Sequence, residues 1–129
     1  MSPSASRLIP TPVPNPETEA FWAAANEGRL LLRRCLACNK IHYYPRSLCP
    51  HCYGETVWEQ ASGQGRIYSF SVVRWGAAPY VIAFVALAEG VTMMTNIVDC
   101  DVDSVRIDHP VHLVFKPSES GQLVPMFTP

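Results

Sequence analysis

The chain is 129 residues long, enough for one ordinary domain and too short for a large multidomain enzyme. Charged residues make up only 16 % of it and hydrophobic residues 48 %, with 12 prolines and a net charge of −1. That balance excludes wholesale disorder, which needs low hydrophobicity or high net charge, and it excludes a global basic field for a polyanion. A chain so short of charge, able to bury only about two-thirds of its surface, points to apolar surface reserved for a partner.

Residues 1–14 carry prolines at 3, 10, 12 and 14, which predicts a flexible, extended arm. The segment 15–28 has the punctuation of a helix over 16–27: Asn15 as N-cap, Pro16 at the first helical position, Glu17 and Glu19 at the positive end of the dipole, and Gly28 as the stop. Its Phe21 and Trp22 sit among alanines, either capping the domain's own core or facing a partner. Arg29 to Arg34 reads as a short strand leading into the cysteines.

From Ser62 onward the period becomes that of strands. Arg66 to Arg74 places Tyr68, Phe70 and Val72 on one face. Tyr80 to Ala88 is apolar on both faces, the mark of a strand covered on both sides. Glu89-Gly90 turns into Val91 to Val98, and Val111 to Lys116 with Leu123 to Phe127 form a last hairpin. Five strands with short connections suit a small closed barrel of the OB type, because closure removes exposed edges. The expected organisation is therefore arm 1–14, helix 15–28, metal ribbon 29–61 and OB domain 62–129, mainly β.

The strongest motif is a pair of CxxC turns, Cys35-Leu36-Ala37-Cys38 and Cys49-Pro50-His51-Cys52, separated by ten residues. Two residues between cysteines let both sulfurs face one ion from a tight turn, and two such turns complete a tetrahedral thiolate cage. Zinc is the expected metal, one per chain; iron is the alternative that four thiolates also hold. Such a sphere is closed to water, so the site is expected to be structural. The turns need left-handed backbone after each second cysteine, for which Asn39 and the glycine at Gly54 are at hand. His42 and His51 are expected outside the ligand set. Five cysteines, four of them in metal spacing, fit a reducing compartment.

Charge is segregated as well. Residues 29–52 hold five of the ten basic side chains and no acid, whereas everything after Cys52 has four basic residues against eight acidic ones. Other candidate motifs fail. Asp99-Cys100-Asp101-Val102-Asp103-Ser104 begins like a calcium loop but lacks its glycine and its closing glutamate, so its aspartates are expected to cap a turn. Gly63-Gln64-Gly65 precedes a strand instead of a helix, Cys100 has no basic neighbour, and His109 and His112 accompany no nucleophile motif. No catalytic set is recognisable. Met1 to Pro14 lacks the apolar core of a secretory signal, and the longest apolar stretch, Ala77 to Ala88, is too short to cross a bilayer as a helix. A cytoplasmic location without membrane binding is the expectation.

The order of these parts, an E-x-E-x-F-W helix, EGRLLLRRC, the CxxC/CPHC ribbon, then SGQGRIYSFSVV, PYVIAFVALAEGV, TNIVDCD and VRIDHPVHLVF, closely resembles one family over about residues 15–127. That family consists of small proteins with an N-terminal helix, a rubredoxin-like zinc ribbon and a C-terminal OB fold that accompany acyl-CoA enzymes. Asn39 and Asp108 stand where the family often has glycine, and both residue types tolerate left-handed backbone.

The resemblance implies a non-catalytic subunit that forms a hetero-oligomer with a thiolase-fold thiolase or a retro-aldolase that shortens steroid side chains, or with a MaoC-type hydratase, and that helps contain the acyl-CoA. Candidate partner contacts are Phe21, Trp22, Tyr43, Tyr44, Trp75 and Tyr80. The basic ribbon could lie near CoA phosphates or an acidic partner face. Nucleic-acid binding, for which Tyr43, Tyr44, Arg46 and Tyr53 would be the platform, is the competing class, disfavoured by the acidic barrel half.

Overall fold

A computed structural model describes residues 8–76 and 78–129. The expected arm falls partly outside these. Its described portion has no helix or strand, and Ile9 and Thr11 lie against the turn of the last hairpin, where the Ile9 carbonyl accepts from Glu119 N–H at 2.9 Å and Thr11 Oγ1 from Ser120 N–H at 3.1 Å.

Helix α1 spans Glu19–Ala25, shorter than the expected 16–27, because the residues before it form a capping turn. Asn15 Oδ1 accepts from the N–H groups of Glu17 and Thr18, and Thr18 Oγ1 in return accepts from Asn15 N–H at 2.9 Å. This reciprocal arrangement satisfies donors that a helix start leaves orphaned. At the other end Arg29 N–H reaches Ala24 O and Gly28 N–H reaches Ala25 O, a Schellman closure with Gly28 at φ 78°.

The ribbon is a three-stranded antiparallel sheet in the order β2-β1-β3, made of β1 (Leu31–Cys35), β2 (Ile41–His42) and β3 (Thr56–Gln60). The barrel comprises β4 (Gln64–Val73), β5 (Tyr80–Leu87), β6 (Thr92–Ile97), β7 (Pro110–Pro117) and β8 (Leu123–Thr128), with a short 3-10 helix at Val102–Ser104. It closes in the order β4-β5-β6-β8-β7 back to β4, with β6 and β8 parallel and the other pairs antiparallel. This is the five-stranded OB barrel expected from the strand pattern.

Two readings of the strands are corrected. Tyr68 does not share a face with Phe70 and Val72. The register slips between Ile67 and Ser69, so Ile67 points into the core, Tyr68 is exposed, and Phe70 and Val72 resume the inward face. β5 is not covered on both sides within this chain: Val81, Ala83, Val85 and Leu87 are buried, but Phe84 on the outer face is 45 % exposed.

One core cluster joins all three parts, with Phe21 and Ala25 of α1, Leu30 and Leu32 of the ribbon, and Ile67, Val85, Met93 and Phe127 of the barrel. Side chains stitch the same junctions. Glu17 Oε2 accepts from Ser47 N–H at 2.7 Å, which holds the Glu17 carboxyl below its ordinary value, while Gln122 Nε2 donates to Trp22 O and Asn26 Oδ1 accepts from Leu123 N–H, both at 3.0 Å. No helix among the described residues is long and apolar enough to cross a membrane.

Replacing Asn15 with alanine removes the cap's two accepted bonds and is expected to cost about 1 kcal/mol. Thermal unfolding followed by circular dichroism should show the midpoint falling by roughly 3–5 °C; an unchanged midpoint would mean that the cap is not used.

Candidate metal centre

The sulfurs of Cys35, Cys38, Cys49 and Cys52 all lie within 4.8 Å of one another, positioned to bind one metal ion. Cys35 and Cys52 Sγ are 3.5 Å apart and Cys38 and Cys49 Sγ 3.7 Å, close to the spacing of about 3.8 Å that a tetrahedral zinc with bonds of about 2.3 Å imposes.

The two turns repeat one another's backbone pattern. Asn39 N–H bonds Cys35 O as Tyr53 N–H bonds Cys49 O, and Cys35 N–H bonds Lys40 O as Cys49 N–H bonds Gly54 O. Each turn also aims amide donors at its first sulfur: Ala37 and Cys38 N–H reach Cys35 Sγ and His51 N–H reaches Cys49 Sγ, all at 3.3 Å. The Cys38 N–H, with help from that of Ala37, brings the Cys35 thiol down to about 6. These donors stabilise the thiolate form a metal needs.

The left-handed residues are Asn39 at φ 63°, as expected, and Tyr53 at φ 62°. Gly54, expected in that role, serves another. A Cβ on it would lie 2.9 Å from Ala37 Cβ, 3.1 Å from Cys35 Sγ and 3.2 Å from Cys52 Sγ, so its missing side chain lets the second turn approach the first. Asp108 is left-handed too, at φ 66°.

The histidines stand outside the thiolate set. His51 is exposed, whereas His42 is buried on β2 opposite Arg33, and burial, with Arg33, His51 and Arg46 nearby, holds its pKa below the ordinary histidine value.

Three of the five basic side chains of the ribbon are engaged within the fold. Arg33 stacks over Trp58 with its guanidinium 4.2 Å from the ring centre, Arg34 forms a forked pair with Glu59 at 2.7 and 3.0 Å, and Arg29 pairs with Glu27. The acids come from just outside the stretch 29–52, so the apparent basic module is neutralised in part by its neighbours in the fold, at Arg29 and Arg34.

The aromatic partner candidates divide. Phe21 is 1 % exposed and edge-on to Trp22, Tyr43 and Tyr44, which places it in the core of this chain; its helix packs against β1 and β8. Trp22 is also buried but lines a groove of about 290 Å³ together with the half-buried Tyr43 and Tyr80. Burial pushes the Tyr43 hydroxyl up to about 12. Tyr44 is 41 % exposed and Trp75, between β4 and β5, is 80 % exposed.

The rejected calcium-like segment behaves as a turn. Asp101 caps the 3-10 helix by accepting from Asp103 N–H, Asp99 pairs with Lys116 at 2.6 Å, and Asp103 pairs with Arg74. Burial pushes the Cys100 thiol up, the opposite of activation.

Two family models match in tandem: the ChsH2 rubredoxin-like zinc ribbon domain over residues 22–59 and the ChsH2 C-terminal OB-fold domain over residues 58–116. A DUF35 domain-containing scaffold protein of Methanothermobacter thermautotrophicus is 40 % identical over 98 residues, 69 % of this chain and 74 % of that protein. The chain belongs to the ChsH2/DUF35 family of zinc-ribbon and OB-fold proteins.

A probable enoyl-CoA hydratase alpha subunit of Thermomonospora curvata is 34 % identical over 95 % of the chain, which spans only 40 % of that protein's length. Among solved structures, a chain titled Ltp2-ChsH2(DUF35) aldolase superposes with a TM-score of 0.82 at 32 % identity, covering 92 % of this chain and 98 % of that one.

Adding a Cβ at Gly54 is expected to cost about 1–3 kcal/mol, because the cage must open to admit it. Competition against a chromogenic chelator should show Gly54→Ala surrendering zinc at lower chelator concentration than wild type; equal retention would refute this role. Cys35→Ser is expected to abolish soluble folding, while metal analysis of the wild type returns one zinc per chain.

Proposed function

We propose that this chain is a non-catalytic scaffold subunit, built around one structural zinc held by Cys35, Cys38, Cys49 and Cys52, that binds and stabilises a thiolase-fold acyl-CoA enzyme. The partner is a thiolase or retro-aldolase acting on fatty-acyl or steroid side chains, and the scaffold helps to contain the acyl-CoA. The observation that carries this reading is the superposition, over nearly the whole chain, on the chain titled Ltp2-ChsH2(DUF35) aldolase. The name scaffold protein on the archaeal relative supports the same role.

Chemistry within the chain agrees. Four thiolates fill a tetrahedral zinc sphere and leave no position for a reacting water or carbonyl. The metal's binding free energy, of the order of 10–16 kcal/mol in zinc fingers, goes into folding the ribbon. A hydratase partner is the second reading, favoured by the name of the Thermomonospora relative. A polyanion is disfavoured by the pairing of Arg29 and Arg34 with glutamates, because a phosphate contact at either would have to displace an existing ion pair.

Coexpression with the thiolase-fold and hydratase proteins of the same genome, followed by size-exclusion chromatography, is expected to yield a stoichiometric complex with a thiolase-fold subunit. A soluble chain that associates with none of them would contradict the proposal. The zinc-loaded chain alone should neither cleave nor hydrate acyl-CoA substrates, and turnover by it would refute the non-catalytic role.

A further inference from the structure

β5 is apolar at every position from Tyr80 to Leu87, yet the barrel interior takes only alternate residues. The others form an outer strip. Phe84 lies directly opposite Met94 of β6, and the two are 45 % and 58 % exposed. Ile82, next along β5, is half-buried and faces Asn96 on one side and Ser71 on the other. From Ser69 to Val73, Tyr80 to Ala86 and Thr92 to Asn96, the outward positions hold no charged side chain. The described charges of the barrel lie off these strand segments, among them the Lys116–Asp99 and Arg74–Asp103 pairs and Arg66, which donates to Asp108 O.

Two further features border the strip. The groove that Trp22 and Tyr43 help to line has Ile82 and Met94 in its wall. The connection between β4 and β5 carries Trp75, 80 % exposed. In OB folds the second and third strands, with the loop between the first and second, form the face that commonly grips oligonucleotides. Here that face is β5 and β6 with the Trp75 connection; the two strands offer a phosphate no cation, and Arg74, beside Trp75, is paired with Asp103.

Charge decides between nucleic acid and protein, and area decides between a second copy and a larger partner. With strands about 4.8 Å apart and about 3.4 Å per residue, the strip measures about 300 Å², less than half of the roughly 800 Å² each side contributes to a standard interface. Two copies meeting on it alone would fall short. A larger subunit could cover the strip and also reach the groove and Trp75, and an apolar centre inside a wider interface is where binding energy concentrates.

We infer that the outer face of β5 and β6, centred on Phe84 and Met94, is the docking surface for an uncharged, apolar surface element of the thiolase-fold subunit. This rests on the scaffold function proposed above. The aspartate substitutions Phe84→Asp and Met94→Asp place an unpaired charge in the buried centre of the contact, whereas Ile107→Asp, 59 % exposed in the segment before β7, is the control.

The test is affinity of the full-length, zinc-loaded chain for the coexpressed thiolase-fold subunit, by titration calorimetry, with zinc content and melting midpoint confirming the fold of each variant. Phe84→Asp and Met94→Asp are expected to bind about 30-fold more weakly or worse, and Ile107→Asp like wild type. Should an aspartate variant fail to fold, Phe84→Ser and Met94→Ser are expected to weaken binding about tenfold. Variants that bind as tightly as wild type would overturn the docking surface and leave the scaffold function standing. A wild-type chain that binds no such subunit would instead overturn the scaffold function and this surface with it. A wild-type homodimer that Phe84→Asp converts to monomer would give the strip to a second copy, which also overturns the inference.

Discussion

Four sulfurs held within 4.8 Å of one another constrain this fold more than any other contact, because as thiolates they would repel and a divalent cation makes their convergence favourable. Besides the cage, the β1–β3 ladder and the buried Leu30 and Leu32 tie the inner part of the ribbon, but its outer part is thin. Its outer strand β2 is two residues long, and the loop from Lys40 to Leu48 has few backbone partners outside the cysteine turns. Amide donors from Ala37, Cys38 and His51 soften the charge on the cage, and Gly54 lets the two turns close on it.

The consequence runs outward through packing. The ribbon loop that the cage fixes supplies Ser47 N–H to Glu17 and Tyr43 and Tyr44 to the ring of Phe21. Helix α1 thereby sits where its far end can meet the hairpin turn at Gln122 and Leu123. A metal at one end of the molecule thus sets the position of the helix on the barrel and the wall of the groove beside β6. A helix and groove positioned in this way suit the proposed scaffold role of presenting a surface to a partner.

Much of this organisation was legible because it rests on strong local signals. The CxxC spacing specifies a four-sulfur cage, and the runs around Val81 to Leu87 and Val111 to Lys116 carry a strand period whichever partner they meet. Other features leave no local trace. A bulge at Tyr68 inverts the facing of every later residue in β4 without any change in composition. Tyrosine is a poor candidate for left-handed backbone, so the sequence points to Gly54 where the fold uses Tyr53. The pairing of Arg34 with Glu59, across 25 residues, is set by the register of β1 against β3, which makes a stretch rich in arginine read as more basic than the folded surface is. Phe21 reads equally well as a partner contact or a core residue until α1 is docked.

The account stands or falls on the zinc being enclosed by thiolates, since an open coordination position would make catalysis by this chain chemically available. X-ray absorption at the zinc edge, recorded on the purified chain and again in complex with its partner, measures that directly. Four sulfur neighbours at about 2.3 Å in both states, with no nitrogen or oxygen, is the expected result. A shell with fewer than four sulfurs and an oxygen or nitrogen ligand would contradict it.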